Sequence, residues 1–161
     1  MKGQQKKYEL TGEFIEHWSG KKLYRIRALV SFGVVVAGQL GGFVESEKNL
    51  DQSLSGNAWV YGDTQVYGDA QVYGDAQVRS YAVISERKMI FGATNVGSEN
   101  GTLTVFNGKD GLIVTRGCFT GTVDNFLAKS AEVHDDKTRN EYKLLIEVAK
   151  SRILGVKNER N

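Results

Sequence analysis

The chain has 161 residues, 40 % of them hydrophobic and 25 % charged, with a net charge of +2. That balance is ordinary for a globular protein; it excludes an acidic DNA mimic and gives no reason to expect nucleic acid as a direct partner. A single cysteine, Cys118, excludes an internal disulfide, and no apolar run approaches the roughly 20 residues of a membrane helix, so a cytoplasmic protein without membrane association is expected.

The opening MKGQQKKYEL carries positive charge but no apolar stretch follows it, so it is not read as a signal peptide. Tyr8 to Glu16 (YELTGEFIE) and Leu23 to Val30 (LYRIRALV) are rich in β-branched and aromatic residues. Between them Ser19-Gly20 is a turn signal, which predicts a β-hairpin. With 19 glycines and no proline, tight turns fall to Gly, Asn and Asp. The stretch AGQLGGFV then has the small-residue texture of a degenerate first repeat.

Residues 55–78 read SGNAWV-YGDTQV-YGDAQV-YGDAQV, a period of six. Val60, Val66, Val72 and Val78 recur at one phase, and Ala58, Thr64, Ala70 and Ala76 at another. That texture predicts a left-handed parallel β-helix, with both series pointing inwards and a Gly-Asp or Gly-Asn pair at each corner. Residues eighteen apart then stack, Trp59 over Gln77 and Tyr61 over Arg79. Tyr61, Tyr67 and Tyr73 would then face outwards on three different sides of the prism, and Trp59 is read as exposed with them. The clear repeat fills only about one and a third coils, so the flanks are expected to cap it. Charge follows this division: residues 1–44 carry +4, 45–78 carry −5, 79–117 carry +2 and 118–161 carry +1.

From Gly101 the texture changes. TLTVF and LIVTRGCF are strands around the hairpin turn NGKDG, while Thr122 to His134 and Thr138 to Leu154 are helical. Thr138 with Glu141 has capping-box spacing. Tyr142, Leu145, Ile146, Ala149 and Ile153 fall on one helical face. The expectation is a mainly β protein: an N-terminal β-hairpin cap over residues 1–36, a short hexapeptide-repeat β-helix over 37–96, and a C-terminal ββαα cap over 97–161.

For chemistry the residues offer little. Hexapeptide acyltransferases need a histidine base at the coils, and the two histidines, His17 and His134, both lie outside the repeat. A Cys118–His134 nucleophile pair rests on no proximity, and Cys118 reads as a small buried residue. Two histidines and one cysteine at wide spacing match no metal-ligand pattern. No catalytic residue, metal or cofactor is therefore expected. The exposed row Trp59, Tyr61, Tyr67 and Tyr73, with Arg79, is the expected binding surface, because exposed aromatics are enriched in binding hot spots.

Three blocks carry a resemblance: the entry YELTGE, LYRIRAL and AGQLGGFVESEKNL; the YGDA-type repeat; and the exit VGSENGTLTVF, DGLIVTRGCFTGTVDNF and NEYKLLIEVAKSRI. Together they resemble small phage and prophage β-helix proteins of the polymer-forming type. The resemblance implies a cytoplasmic accessory protein of phage origin in a bacterial host and carries over no activity. The first reading is then a non-enzymatic binder of a host protein, an inhibitor of a bacterial defence component such as a CRISPR effector, acting as a dimer or trimer. The second is sequestration of a small ligand, such as a signalling nucleotide, at a subunit boundary lined by Tyr and by Arg79, Arg116 or other basic residues. The third is acyl transfer, and the fourth a purely structural assembly.

Overall fold

The computed structural model describes residues 6–79, 82–86, 89–108, 111–117 and 119–155. Strands β1 (Tyr8–Glu16) and β2 (Lys22–Ala28) form the N-terminal hairpin, antiparallel from Tyr8↔Ala28 to Glu16↔Lys22 with a bulge between Leu10 and Phe14. The third strand, β3 (Leu40–Val44), adds antiparallel to β2, pairing Val44 with Tyr24. The repeat supplies β4 (Trp59–Val60), β5 (Gln65–Val66), β6 (Gln77–Val78) and β7 (Val83–Ile84). Beyond it β8 (Ile90–Val96), β9 (Gly101–Gly108), β10 (Gly111–Arg116) and β11 (Phe119–Thr122) make a four-stranded antiparallel sheet, followed by α1 (Val123–Val133) and α2 (Asp136–Leu154).

The expected left-handed parallel β-helix is not the architecture. The chain is a mixed α/β fold with a large β content: two helices, a five-stranded mixed sheet, the antiparallel four-stranded sheet, and a two-stranded sheet of β4 and β6. Parallel pairing joins strands of two residues to each other and to β3, as in Trp59↔Gln77, Gln65↔Val83 and Phe43↔Gln65. The reason lies in the turns. Gly62, Gly68 and Gly74 sit at φ of 60°, 64° and 65°, a left-handed conformation that spends most of each hexapeptide on a turn. Two extended residues per repeat remain to pair. Short turns join β1 to β2 and β8 to β9 and close them as antiparallel neighbours. The predicted ββαα cap is corrected likewise, to a four-stranded sheet with two helices. The tip of its β9–β10 hairpin, residues 109–110, lies outside the described residues.

Two cores result, and β9 separates them by alternation. Leu103 and Val105 join Val114, Phe126, Tyr142, Ile146 and Ala149 beneath the helices, while Phe106 enters the core of the repeat. There it meets Val60, Val66, Val72, Val78 and the small series Ala58, Ala70 and Ala76. Thr64 occupies the alanine position of its own unit, fully buried, and its Oγ1 has no hydrogen-bond partner. An orphaned buried hydroxyl costs about 1–3 kcal/mol. Thr64→Ala is therefore expected to leave the melting temperature unchanged or raise it. A clear fall in a calorimetric scan would show that the lost methyl contact outweighs the orphan.

The helices are anchored at their starts. Thr122 Oγ1 accepts from Asn125 N at 3.0 Å, and Asp135 Oδ1 from Thr138 N at 2.8 Å. Asp135, rather than the expected Thr138, thus caps α2. Glu141 is released to reach another element: its Oε1 accepts from Gly97 N at 2.6 Å.

The N-terminal segment closes the repeat with two buried polar groups. Lys7 Nζ donates to the carbonyls of Ala58 at 3.0 Å and Gly56 at 3.4 Å, and lies 4.7 Å from the Phe32 ring centroid. Tyr8 donates its hydroxyl to Leu50 O at 2.5 Å. Burial pulls the Lys7 ammonium below the ordinary lysine range. Burial, reinforced by the charges of Glu47 and Asp51, raises the Tyr8 phenol above its usual value.

The signs are opposite. The unfolded chain holds the Lys7 proton more tightly, so stability from that group rises with pH up to the ordinary lysine pKa of about 10.4. The Tyr8 contribution is complete below the ordinary phenol pKa of about 10 and is lost as pH climbs beyond it, because the unfolded chain ionises first. Tyr8→Phe is expected to lower the melting temperature at pH 7, by the loss of a hydrogen bond of about 1 kcal/mol, yet to flatten its decline above pH 10. Parallel declines in the two proteins would remove Tyr8 as the alkaline trigger.

Candidate functional site

An open groove has a volume of about 740 Å³, within the roughly 300–1,000 Å³ of small-molecule sites. One wall is the repeat, through Asn57, Tyr61, Asp75, Gln77 and Arg79. The facing wall is the β8–β9 hairpin, through Thr94, Asn95, Asn100, Gly101 and Thr102. Arg116, Gly117 and the loop at Gly33–Val35 complete the lining. All of it belongs to a single chain.

Local chemistry fixes these walls. Tyr61 donates its hydroxyl to Gln77 Oε1 at 2.5 Å, and Gln77 Nε2 donates to Asn57 O at 2.7 Å. Asp75 Oδ1 accepts from Asn57 N at 2.9 Å. The Arg79 guanidinium lies 5.0 Å from the Tyr61 ring centroid, the cation–π stack expected from the eighteen-residue spacing, and donates to Thr120 Oγ1 at 2.7 Å. Arg116 donates through Nε to the Tyr142 hydroxyl at 3.0 Å, and its Nη2 lies 3.8 Å from Glu99. Only 16 % of its side chain is exposed. Two guanidinium groups from different layers are therefore held at one groove, each with a defined orientation.

Asn95 and Asn100 adopt φ of 58° and 53°, the turn conformation that asparagine tolerates best among residues with a side chain. Neither amide group has a hydrogen-bond partner among the described residues, nor has the side-chain amide of Asn57. A narrower annex of about 90 Å³ continues the groove. It shares Asp75, Thr94 and Thr102 with the groove and adds Tyr73, Ala76, Ile90 and Gly92.

The set of four aromatics expected to be exposed loses one member, Trp59. Trp59 is fully buried and is no surface residue: its ring meets Phe32 at 5.4 Å and Tyr8 at 6.2 Å, so the N-terminal segment covers the side that the repeat leaves open. Tyr61 and Arg79 enter the groove. Tyr73, 67 % exposed, borders the annex. Tyr67 lies elsewhere, 4.5 Å from the His17 ring, which in turn is 5.1 Å from Trp18 at the hairpin tip. The three groove asparagines were missed by sequence reasoning. The only trace is that two of them stand beside glycine, Asn57 in GNA and Asn100 in ENG, a turn signal rather than a binding signal.

The two histidines stay apart from the groove. His17 bonds Ser19 in its own turn. His134 shares a 2.8 Å hydrogen bond with Ser130 Oγ beside another cavity of about 390 Å³, lined also by Lys129, Phe126 and Tyr142 and sharing Arg116 with the groove. Cys118, and with it the Cys118–His134 pairing, lies outside the described residues. Among the described residues no group of three or more His, Cys, Asp or Glu side chains is placed to hold a metal ion, and no helix is long and apolar enough to cross a membrane.

No protein-family model matches the sequence, and no curated protein matches it either.

Proposed function

We propose that the chain is a non-enzymatic binding protein of phage or prophage origin, acting in the cytoplasm of a bacterial host, and that its site is the groove, which takes a small anionic ligand. The observation that carries this reading is the convergence of Arg79 and Arg116 beside Tyr61. Guanidinium groups recognise phosphate and carboxylate through paired, directional hydrogen bonds. Here both are oriented before any ligand arrives, which reduces the ordering cost of binding. Sequestration needs no base or nucleophile, and neither histidine lines the groove.

Titration calorimetry with inorganic phosphate and ribose 5-phosphate tests the reading. Binding that weakens at least tenfold in Arg116→Gln and in Arg79→Gln, with circular dichroism unchanged, supports it. No heat from either probe, or heat indifferent to both arginines, sinks it.

A second reading keeps a host protein, such as a defence effector, as the partner of a dimeric or trimeric chain. Trp18, 91 % exposed beside His17 and Tyr67, is the observation in its favour, because a solvent-facing tryptophan cluster suits a protein hot spot. Loss of target inhibition in Trp18→Ala with phosphate binding intact would place function there instead.

A further inference from the structure

Resting on the anion-binding reading, we infer that the ligand is a nucleoside phosphate, with its phosphate at Arg79 and Arg116 and its base in the annex beside Tyr73. The site is elongated and chemically graded. Both cations lie in the groove, whereas the annex contributes Tyr73, Ala76, Ile90 and Gly92. A lone phosphate or a short carboxylate would use one end and leave the other empty.

Between the ends lie groups suited to a sugar. Thr94, Thr102 and the Asp75 carboxylate border both cavities, where they can meet hydroxyl donors. The side-chain amides of Asn57, Asn95 and Asn100 line the groove and not the annex, and offer donors and acceptors to a ribose there. Asp75 argues against a second phosphate at mid-groove, because a carboxylate there repels it. That favours one phosphoryl group at the arginine end over a polyphosphate laid along the cleft.

Gly92 borders the annex. A Cβ built there meets nothing closer than Leu103 O at 4.0 Å, so a larger side chain fits the strand and projects into space a base would use. Tyr73, two-thirds exposed, borders the same cavity, and bases stack on exposed aromatic rings irrespective of sequence.

The experiment compares AMP, ribose 5-phosphate and adenosine by titration calorimetry on the wild-type chain, Gly92→Leu, Tyr73→Ser and Arg116→Gln. Expected is AMP binding at least tenfold tighter than ribose 5-phosphate, with adenosine weaker than AMP. Gly92→Leu and Tyr73→Ser should each remove the advantage of AMP while leaving ribose 5-phosphate unchanged. Arg116→Gln should weaken both phosphates. Retained ribose 5-phosphate affinity shows that the annex variants are folded. Equal affinity for AMP and ribose 5-phosphate, or AMP binding untouched by both annex variants, overturns the nucleoside assignment and leaves the anion site standing. Failure of both phosphate-bearing probes to bind overturns the anion site as well.

Discussion

Trp59→Ala is expected to destabilise the protein by about 3–5 kcal/mol, the usual cost of emptying a fully buried tryptophan site. The indole is the largest fully buried side chain described, and it touches three segments distant in sequence. Tyr8 and Phe32 meet its ring edge-on, and a Cβ on Gly41 would come within 2.7 Å of Cζ2, so glycine there makes room for it. Small domains hold only about 5–15 kcal/mol in total, so this loss moves the urea midpoint far towards zero. Trp59→Phe should cost less, since it keeps an aromatic ring and removes an indole Nε1 that has no hydrogen-bond partner. Urea denaturation followed by circular dichroism checks both variants. A midpoint in Trp59→Ala within about 1 kcal/mol of wild type would mean that the segment over the indole contributes little. The practical consequence is that Trp59→Ala cannot serve as a binding probe. Gly92, Tyr73 and Arg79 can, because they line cavities and are not core.

This reversal shows what the sequence could and could not say. The period of six located the turns, their left-handed glycines and the inward series Ala58, Val60 and Val66, because each is set by local backbone and alternation. It also paired Tyr61 with Arg79. What lies outside a repeat depends on the rest of the chain, and nothing in WVYG announces that Phe32 and Tyr8 fold over Trp59. The architecture failed for the same reason. Local signals cannot say how many residues of each unit remain to pair, or that β3, β5 and β7 would join an antiparallel hairpin in one sheet. Arg79, Arg116 and tyrosine were grouped from charge and aromaticity at a subunit boundary, whereas the groove that Tyr61, Arg79 and Arg116 line belongs to one chain. The three asparagines and the annex depend on where the β8–β9 hairpin lands.

That landing is controlled by Gly97, and Gly97→Ala is expected to cost about 2–4 kcal/mol and to weaken phosphate binding with it. Two effects add. Gly97 sits at φ 76°, where a side chain costs roughly 1–2 kcal/mol. A Cβ there would also fall 2.8 Å from Tyr142 Cζ, and closer still to the hydroxyl, in a packed core where overfilling costs about 1–3 kcal/mol. Tyr142 is 1 % exposed and walled by Phe126 at 5.0 Å, so it has little room to retreat. Its hydroxyl also holds Arg116 Nε, and the neighbouring Glu141 holds Gly97 N, so one displacement disturbs both the hairpin wall and the guanidinium of the groove. Tyr142→Phe in the Gly97→Ala background should recover part of the stability by removing the nearest atom. It should recover none of the phosphate affinity, because Arg116 still lacks its partner. Thermal melts and phosphate titrations on the two single variants and the double variant form a mutant cycle that separates the steric effect from the positioning effect. If the double variant regains both, Arg116 needs no help from α2 and the helix serves stability alone. If it regains stability only, the second helix sets the geometry of a groove that it does not line.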